Sequence, residues 1–437
     1  MGSYRRAMKI RDCDEIATWL AEAGLLGIRS EGSLVQAFCE RCIEAGLPLG
    51  KSFVMIDTLH PMHEARAFFW DEDKSNGFQE VEYPSSRDGD GAELWKRSPF
   101  LQMLRRREST LRCRLETGET RGFPAIEELR DAGQTDYLAI VYRIRQAMRV
   151  EDVDAFYARW TTARPGGFSE EEVGVLSRLT PHLGLAVRSA AQTRLTKTLV
   201  EAYLGQGPGR QVLSGGIRHD SVKRINAVLW FSDITGYTNL SESVQNDQLV
   251  PLINDYAEAV IGAVKGAGGD VLKLIGDGVL AIFTSSRPEY ACRAAVEAER
   301  DMRVRLLQLA KRRGSEGLPV ADIHLGLHTG RVFYGNIGTP DRLDFTVVGQ
   351  PVNEVSRISS MCQSAGRKML CSSEFAELLL GEEREKLVSV GRFALRGVGR
   401  AQELFTLDPG LSLESSQPSP GLRQRQRRGR SKEGGQA

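Results

Sequence analysis

Residues 273–283, KLIGDGVLAIF, constrain the fold more than any other stretch of the chain. Two apolar runs meet at Gly276-Asp277-Gly278, and apart from that turn only Lys273 is polar, so the segment reads as a tight β-hairpin. Alone, Asp277 needs no role beyond turning the chain. A second aspartate alters the reading. In AVLWFSDITGYTNLSE an apolar strand from Ala227 to Phe231 ends on Ser232 and Asp233 and turns at Thr235-Gly236. Two strand-end carboxylates then need a common explanation.

Around them the pattern runs strand 227–232, helix 246–266, hairpin 271–283, helix 288–312, hairpin 321–336, strand 343–348 and helix 351–363. Strands returning through helices and hairpins to one antiparallel sheet indicate an α+β, ferredoxin-like sandwich. In such a sheet Asp233 and Asp277 converge, and converging carboxylates without a basic partner repel unless a divalent cation neutralises them. Oxygen ligands favour Mg²⁺ or Mn²⁺, and a pair of such ions serves in-line phosphoryl chemistry. Pro351 opens a helix on which Asn353 and Arg357 stand four apart and share a face. An amide beside a guanidinium suits a ribose oxygen and a phosphate.

The chain of 437 residues exceeds one ordinary core, so two domains are expected. With 41% hydrophobic residues, 26% charged and a net charge of +1, nothing in the composition points to nucleic acid or a membrane surface. No apolar run is long enough for a span, MGSYRRAMKIRD lacks a signal-peptide core, and Arg6 breaks the myristoylation pattern, which together predict a cytoplasmic protein. The seven cysteines are scattered, and the single C-x-x-C pair, Cys39 and Cys42, lies on a helical pattern with no second pair to complete a zinc site, so reduced core thiols are expected. LGQGPGRQVLSGG (204–216) is a Gly-rich break, with GQGPG lacking the Lys-Ser/Thr of a P-loop, and the low-complexity basic end of the chain reads as a solvated, disordered tail. His60 and His63 of HPMH read as a plain loop rather than metal or haem ligands.

The N-terminal half mixes candidate strands (SFVMIDTL, ARAFFW, DYLAIVYRI) with amphipathic helices such as DEIATWLAEAGLL, an α+β pattern. Ser169 and Glu172 form a capping box ahead of a long helix that Pro181 should kink or split. Leu176, Leu179, Leu183, Ala186, Ala190, Val200 and Leu204 are spaced for a parallel helix pair, although Thr193 and Lys197 interrupt the seam.

FSDITGYTNLSE, GGDVLKLIGDGVLAIF, GLHTGRVFYGNIG and TVVGQPVNEVSR together resemble the class III nucleotidyl cyclase catalytic domain over about residues 224–406, of the bacterial, rhizobial adenylate cyclase type. The resemblance implies that Asp233 and Asp277, with the carbonyl of Ile234, bind two Mg²⁺, for which Mn²⁺ can substitute. It implies that Lys273 and Thr346 read the purine; Lys with Thr or Asp marks adenylate cyclases, whereas guanylate cyclases usually carry Glu and Cys, so ATP is the expected substrate. Asn353 would orient the ribose, Arg357 would stabilise the α-phosphate, and the site would straddle a homodimer. His324 stands where many relatives place an Arg that contacts the terminal phosphates. Residues 30 to 190 resemble a GAF-type sensory module, which implies a small-molecule or protein signal. The expected organisation is a GAF-like domain (1–190), a helical and Gly-rich connector (191–223), a cyclase domain (224–409) and a basic tail (410–437). The competing readings are a guanylate cyclase and a catalytically weak nucleotide-binding regulator; a diguanylate cyclase, prompted by GGD at 268–270, fails because Val-Leu follows where Glu-Phe is required.

Overall fold

The structure, a computed structural model, describes residues 10–27, 29–57, 65–72, 77–83, 90–144, 154–216, 222–339 and 341–408. His60, His63 and the basic tail lie outside the described residues. The chain divides into two compact units, Met1–Leu199 and Val200–Ala437.

In the first unit the order is α1 (Ile10–Leu26), α2 (Glu31–Glu44), β1 (Lys51–Asp57), β2 (Ala65–Asp71), β3 (Phe78–Tyr83), α3 (Asp90–Lys96), α4 (Pro99–Arg106), β4 (Thr110–Arg114), α5 (Pro124–Asp131), β5 (Asp136–Arg143), β6 (Ala155–Thr162) and α6 (Glu170–Leu204). The strands form one antiparallel sheet in the order β3-β2-β1-β6-β5-β4. Alternation along β6 sends Phe156, Ala158 and Trp160 into a core with α1, α2 and α6, and Tyr157 to the other face, where α4 and α5 bring Phe100, Met103, Ile126 and Leu129. Cys39 and Cys42 are fully buried on α2, and all seven cysteines are free and buried. Burial pushes the Cys39 thiol up to about 12, which keeps it protonated and inert.

Helix α6 begins with the capping box expected: the Ser169 amide donates to Glu172 Oε2 at 2.7 Å and the Glu172 amide to Ser169 Oγ at 3.2 Å. Pro181 does not split it, for the helix is continuous from Glu170 to Leu204. The carbonyl that Pro181 cannot serve, that of Ser177, instead accepts from the Tyr142 hydroxyl at 3.4 Å. The Leu176, Leu179, Leu183, Ala186 and Ala190 part of the stripe packs in the unit's own core, while Val200 and Leu204 stay partly exposed.

The second unit comprises α7 (Gln206–Leu213), β7 (Val222–Ile234), α8 (Tyr237–Ser243), α9 (Asn246–Gly266), β8 (Asp270–Ile275), β9 (Gly278–Phe283), α10 (Pro288–Ser315), β10 (Ile323–Thr339), β11 (Arg342–Val348), α11 (Gln350–Ala365), β12 (Met369–Ser372), α12 (Ser373–Leu378), β13 (Leu387–Phe393) and β14 (Gln402–Leu407). The sheet runs β13-β14-β12-β10-β7-β9-β8, with β11 paired to the far half of β10, and all pairs are antiparallel except β10 with β12. Alternate residues of β7 split between two cores: Val228 and Trp230 pack with α9 and α10, while Ala227 and Leu229 pack with β11 and Val355 of α11. This is the α+β sandwich expected.

Two local expectations are corrected. Residues 321–336 are not a hairpin; β10 is one strand through Gly330, and its hairpin partner is β11. Gly330 is required by close approach rather than by a turn, since a Cβ there would lie 2.5 Å from the Pro351 ring. The Gly-rich break is also partly ordered: α7 follows Gly205, and the Gly207 amide donates to Asp270 Oδ1 at 3.1 Å.

Candidate active site

Strand β9 runs beside β7 with Val279 opposite Ser232, so the β8–β9 tip falls at the end of β7. The loop is Gly276-Asp277, and Gly276 takes the left-handed conformation (φ 62°). Gly278 opens β9 where a Cβ would come 3.3 Å from both the Phe231 ring and the Ser232 carbonyl, and its absence lets the tip close on β7. As a result Asp277 Oδ2 accepts from the Ile234 amide at 3.0 Å. Asp233, one residue earlier, accepts from the Ser359 hydroxyl at 3.0 Å.

The structure therefore brings Asp233, Ile234 and Asp277 together. Burial pushes the Asp233 pKa up and the neighbouring Asp277 charge adds to this, against the Ser359 hydrogen bond and the charge of His324. His324 is the cross-strand partner of Asp233, so it stands beside the carboxylates. Neither carboxylate has an ion-pair partner among the described residues. No three His, Cys, Asp or Glu side chains cluster as a metal site among the described residues. Two carboxylates and a backbone carbonyl are nonetheless a donor set that fits Mg²⁺, which is usually held by one or two carboxylates, with water and substrate phosphates filling the rest.

Lys273 and Thr346 are brought to one place by β8 and β11. The Lys273 ammonium pairs with the Asp344 carboxylate, and Asp344 and Thr346, two apart on β11, share a face. Thr346 is buried and Lys273 half-exposed.

Asn353 and Arg357 lie on α11, whose inner stripe of Val355, Ile358, Ser359 and Cys362 packs down. Asn353 is exposed and Arg357 half-buried. The Arg357 guanidinium rests against Gly397, where a Cβ would be 2.8 Å from Nη1, and Nη1 is buried without a hydrogen-bond partner. A buried donor without an acceptor is costly unless a ligand supplies one. Ser359 follows Arg357 by two residues, roughly 200° around the helix, so the two point to nearly opposite sides. Within one chain the carboxylate pair thus meets the face of α11 that Arg357 does not occupy.

Three contributors escaped the sequence reading. Ser359 holds Asp233, Asp344 holds Lys273, and Glu354 anchors α11 through His328, whose Nε2 lies 3.0 Å from Glu354 Oε2 and whose Nδ1 lies 2.7 Å from Ser372 Oγ. Burial lowers the His328 pKa against the pull of Glu354. The alternation in LDFTVV could have flagged Asp344 beside Thr346; a serine inside a helix gives no such signal.

Residues 220–408 match the adenylate and guanylate cyclase catalytic domain. An adenylate cyclase of Anabaena cylindrica is 29% identical over 183 residues, covering 42% of this chain and 35% of the relative. Adenylate cyclase 1 of Rhizobium meliloti (strain 1021) is 30% identical over 180 residues, covering 40% of this chain and 26% of the relative. The chain thus spans about a third or less of the length of these curated relatives. Among solved structures, the adenylyl cyclase CyaB from P. aeruginosa is 27% identical with a TM-score of 0.39, covering 43% of this chain and 95% of that one. The guanylyl cyclase Cya2 is 24% identical with a TM-score of 0.38, covering 42% and 92%. No described helix is long and apolar enough to cross a membrane.

Proposed function

We propose that the protein is an adenylate cyclase that converts ATP to 3′,5′-cyclic AMP and pyrophosphate at sites shared by two copies of the chain. The observation that carries this reading is the convergence of two unpaired carboxylates, Asp233 and Asp277, at one strand end of a cyclase-family segment. Asp233, Asp277 and the Ile234 carbonyl would hold the metal ions, Mg²⁺ or Mn²⁺. When bound, such ions neutralise phosphate charge and lower the pKa of the 3′-hydroxyl. Lys273 and Thr346 present a cation and a hydroxyl to the purine edge, with Asp344 fixing the lysine. Asn353 orients the ribose. The unpaired Arg357 donor accepts the charge that builds on the α-phosphate as the 3′-oxygen attacks and pyrophosphate leaves. His324, the cross-strand partner of Asp233, would act on the same phosphates.

The opposed directions of Ser359 and Arg357 on α11 support a two-chain site, because the arginine faces away from its own chain's carboxylates. Under two-fold symmetry each arginine then serves the partner's carboxylates and two equivalent sites form. In this reading residues 224–409 carry catalysis and the GAF-like residues 1–190 regulate it.

Purified protein given ATP or GTP with Mg²⁺ or Mn²⁺ should yield cyclic AMP as its main product. Lys273→Glu with Thr346→Cys should lower kcat/KM for ATP on the order of a hundredfold, since each swap leaves a buried purine edge unpaired. Cyclic GMP as the main wild-type product assigns a guanylate cyclase, and nucleotide binding without any cyclic product assigns a regulator. An unchanged ATP preference in the folded double mutant removes Lys273 and Thr346 from base recognition.

A further inference from the structure

The face of the first unit's sheet that packs α4 and α5 carries a cation in an unusual place. Arg159 lies on β6, one of the two central strands, and points into a largely apolar layer with Phe53 of β1 as its cross-strand neighbour on one side and Ala139 of β5 on the other. Its guanidinium lies over the Phe53 ring, 5.4 Å from the centroid, and forms no hydrogen bond or ion pair with any described residue; Nε is buried and unpaired. The nearby Tyr137 hydroxyl on β5 is also buried without a partner, in a residue 1% exposed. Asp57, a carboxylate on the same layer, is already engaged by the Tyr157 hydroxyl at 3.1 Å and the Ala155 amide at 3.0 Å.

A guanidinium whose Nε is buried without an acceptor in an apolar layer is costly to keep. Burial correspondingly lowers the Arg159 pKa. The row it belongs to, Phe69-Phe53-Arg159-Ala139-Leu111, places aromatic rings on one side and the smallest side chain beside the cation on the other. Phe53, Phe69 and Arg159 keep some accessible surface although they stand on interior strands, so the roof of helices does not seal over them. Phe100 stacks on Phe53 at 5.6 Å, leaving flat apolar walls around a forked donor.

We infer that this face of the N-terminal unit binds a small organic carboxylate with a flat apolar body, its carboxylate held by Arg159 and the Tyr137 hydroxyl and its body against Phe53 and its aromatic neighbours. The fork of Arg159 matches a planar carboxylate in two parallel hydrogen bonds, and the tyrosine hydroxyl supplies a third donor. A monoanion balances the single cation, whereas a phosphate dianion would leave a net buried charge. The site involves no residue of the catalytic unit, and the inference stands whether or not the chain makes cyclic AMP.

Benzoate, phenylacetate and indole-3-acetate, titrated into the full chain with thermal melting and calorimetry as readouts, test this directly, with benzamide and inorganic phosphate as controls. At least one acid should raise Tm in a saturable manner while benzamide and phosphate do not. Arg159→Met should raise the Tm of the free protein, by removing an unpaired charge, and weaken that acid by at least about thirtyfold. Tyr137→Phe, which deletes only a hydroxyl, should weaken it several-fold with the fold intact, and so tests the site even if Arg159→Met folds poorly. The inference is overturned if none of the three acids binds, if phosphate alone shifts Tm, or if the shift survives Arg159→Met or is unmoved by Tyr137→Phe.

Discussion

Asp277→Asn protein, assayed with ATP and Mn²⁺, should turn over at least about 10³-fold more slowly than wild type while melting within about 3 °C of it. The two halves of this expectation rest on different atoms. Asparagine keeps an oxygen that can accept from the Ile234 amide, and it suits a two-residue hairpin loop after Gly276, so the tip stays closed on β7. Losing a charged acceptor costs something, and relieving the repulsion that helps raise the Asp233 pKa returns part of it. What the variant lacks is half of the paired negative charge that would hold the ions, a loss of several kcal/mol in the transition state. Near wild-type turnover would return Asp277 to the role of a turn former.

Arg357→Ala should lower kcat by at least about 10³-fold with little change in KM, because an arginine reserved for charge that develops at the phosphate contributes in the transition state and little to ground-state binding. Stability should hold or rise, because the substitution removes a buried donor that has no acceptor. A kcat within threefold of wild type, measured alongside an unchanged Tm, would mean that Arg357 only packs against the 394–401 loop.

The carboxylate pair was legible because strand ends and a two-residue turn have short-range signatures, and period-two burial along β7 fixes which end of the sheet they share. Asn353 and Arg357 were legible as a shared helix face. The direction of that face was not. It depends on Ser359 reaching Asp233, a pairing of positions 126 residues apart that a serine inside a helix does nothing to announce. The 321–336 hairpin was misplaced because a glycine such as Gly330, which permits contact with Pro351, looks in sequence like one that permits a turn. Pro181 misled the reading of α6 because the stray Ser177 carbonyl finds a tyrosine hydroxyl from another element. Lys273 was legible as one polar residue in an apolar strand, but its partner Asp344 comes from a hairpin whose boundaries were misplaced. Arg159 was wholly hidden, since one arginine in an apolar strand reads as an edge charge until its strand proves central.

Whether one site is built from two chains is measured by mixing the two variants. Asp277→Asn protein and Arg357→Ala protein should each be nearly inactive alone. In a mixed dimer one site inherits both defects; the other takes its carboxylates from the Arg357→Ala chain and its arginine from the Asp277→Asn chain, and is intact. Random pairing makes half the dimers mixed with one working site each, so equal mixing under conditions of subunit exchange should restore about a quarter of wild-type cyclic AMP production. No recovery, with exchange verified by differently tagged chains, would contradict the account and place Asp277 and Arg357 in a site within one chain.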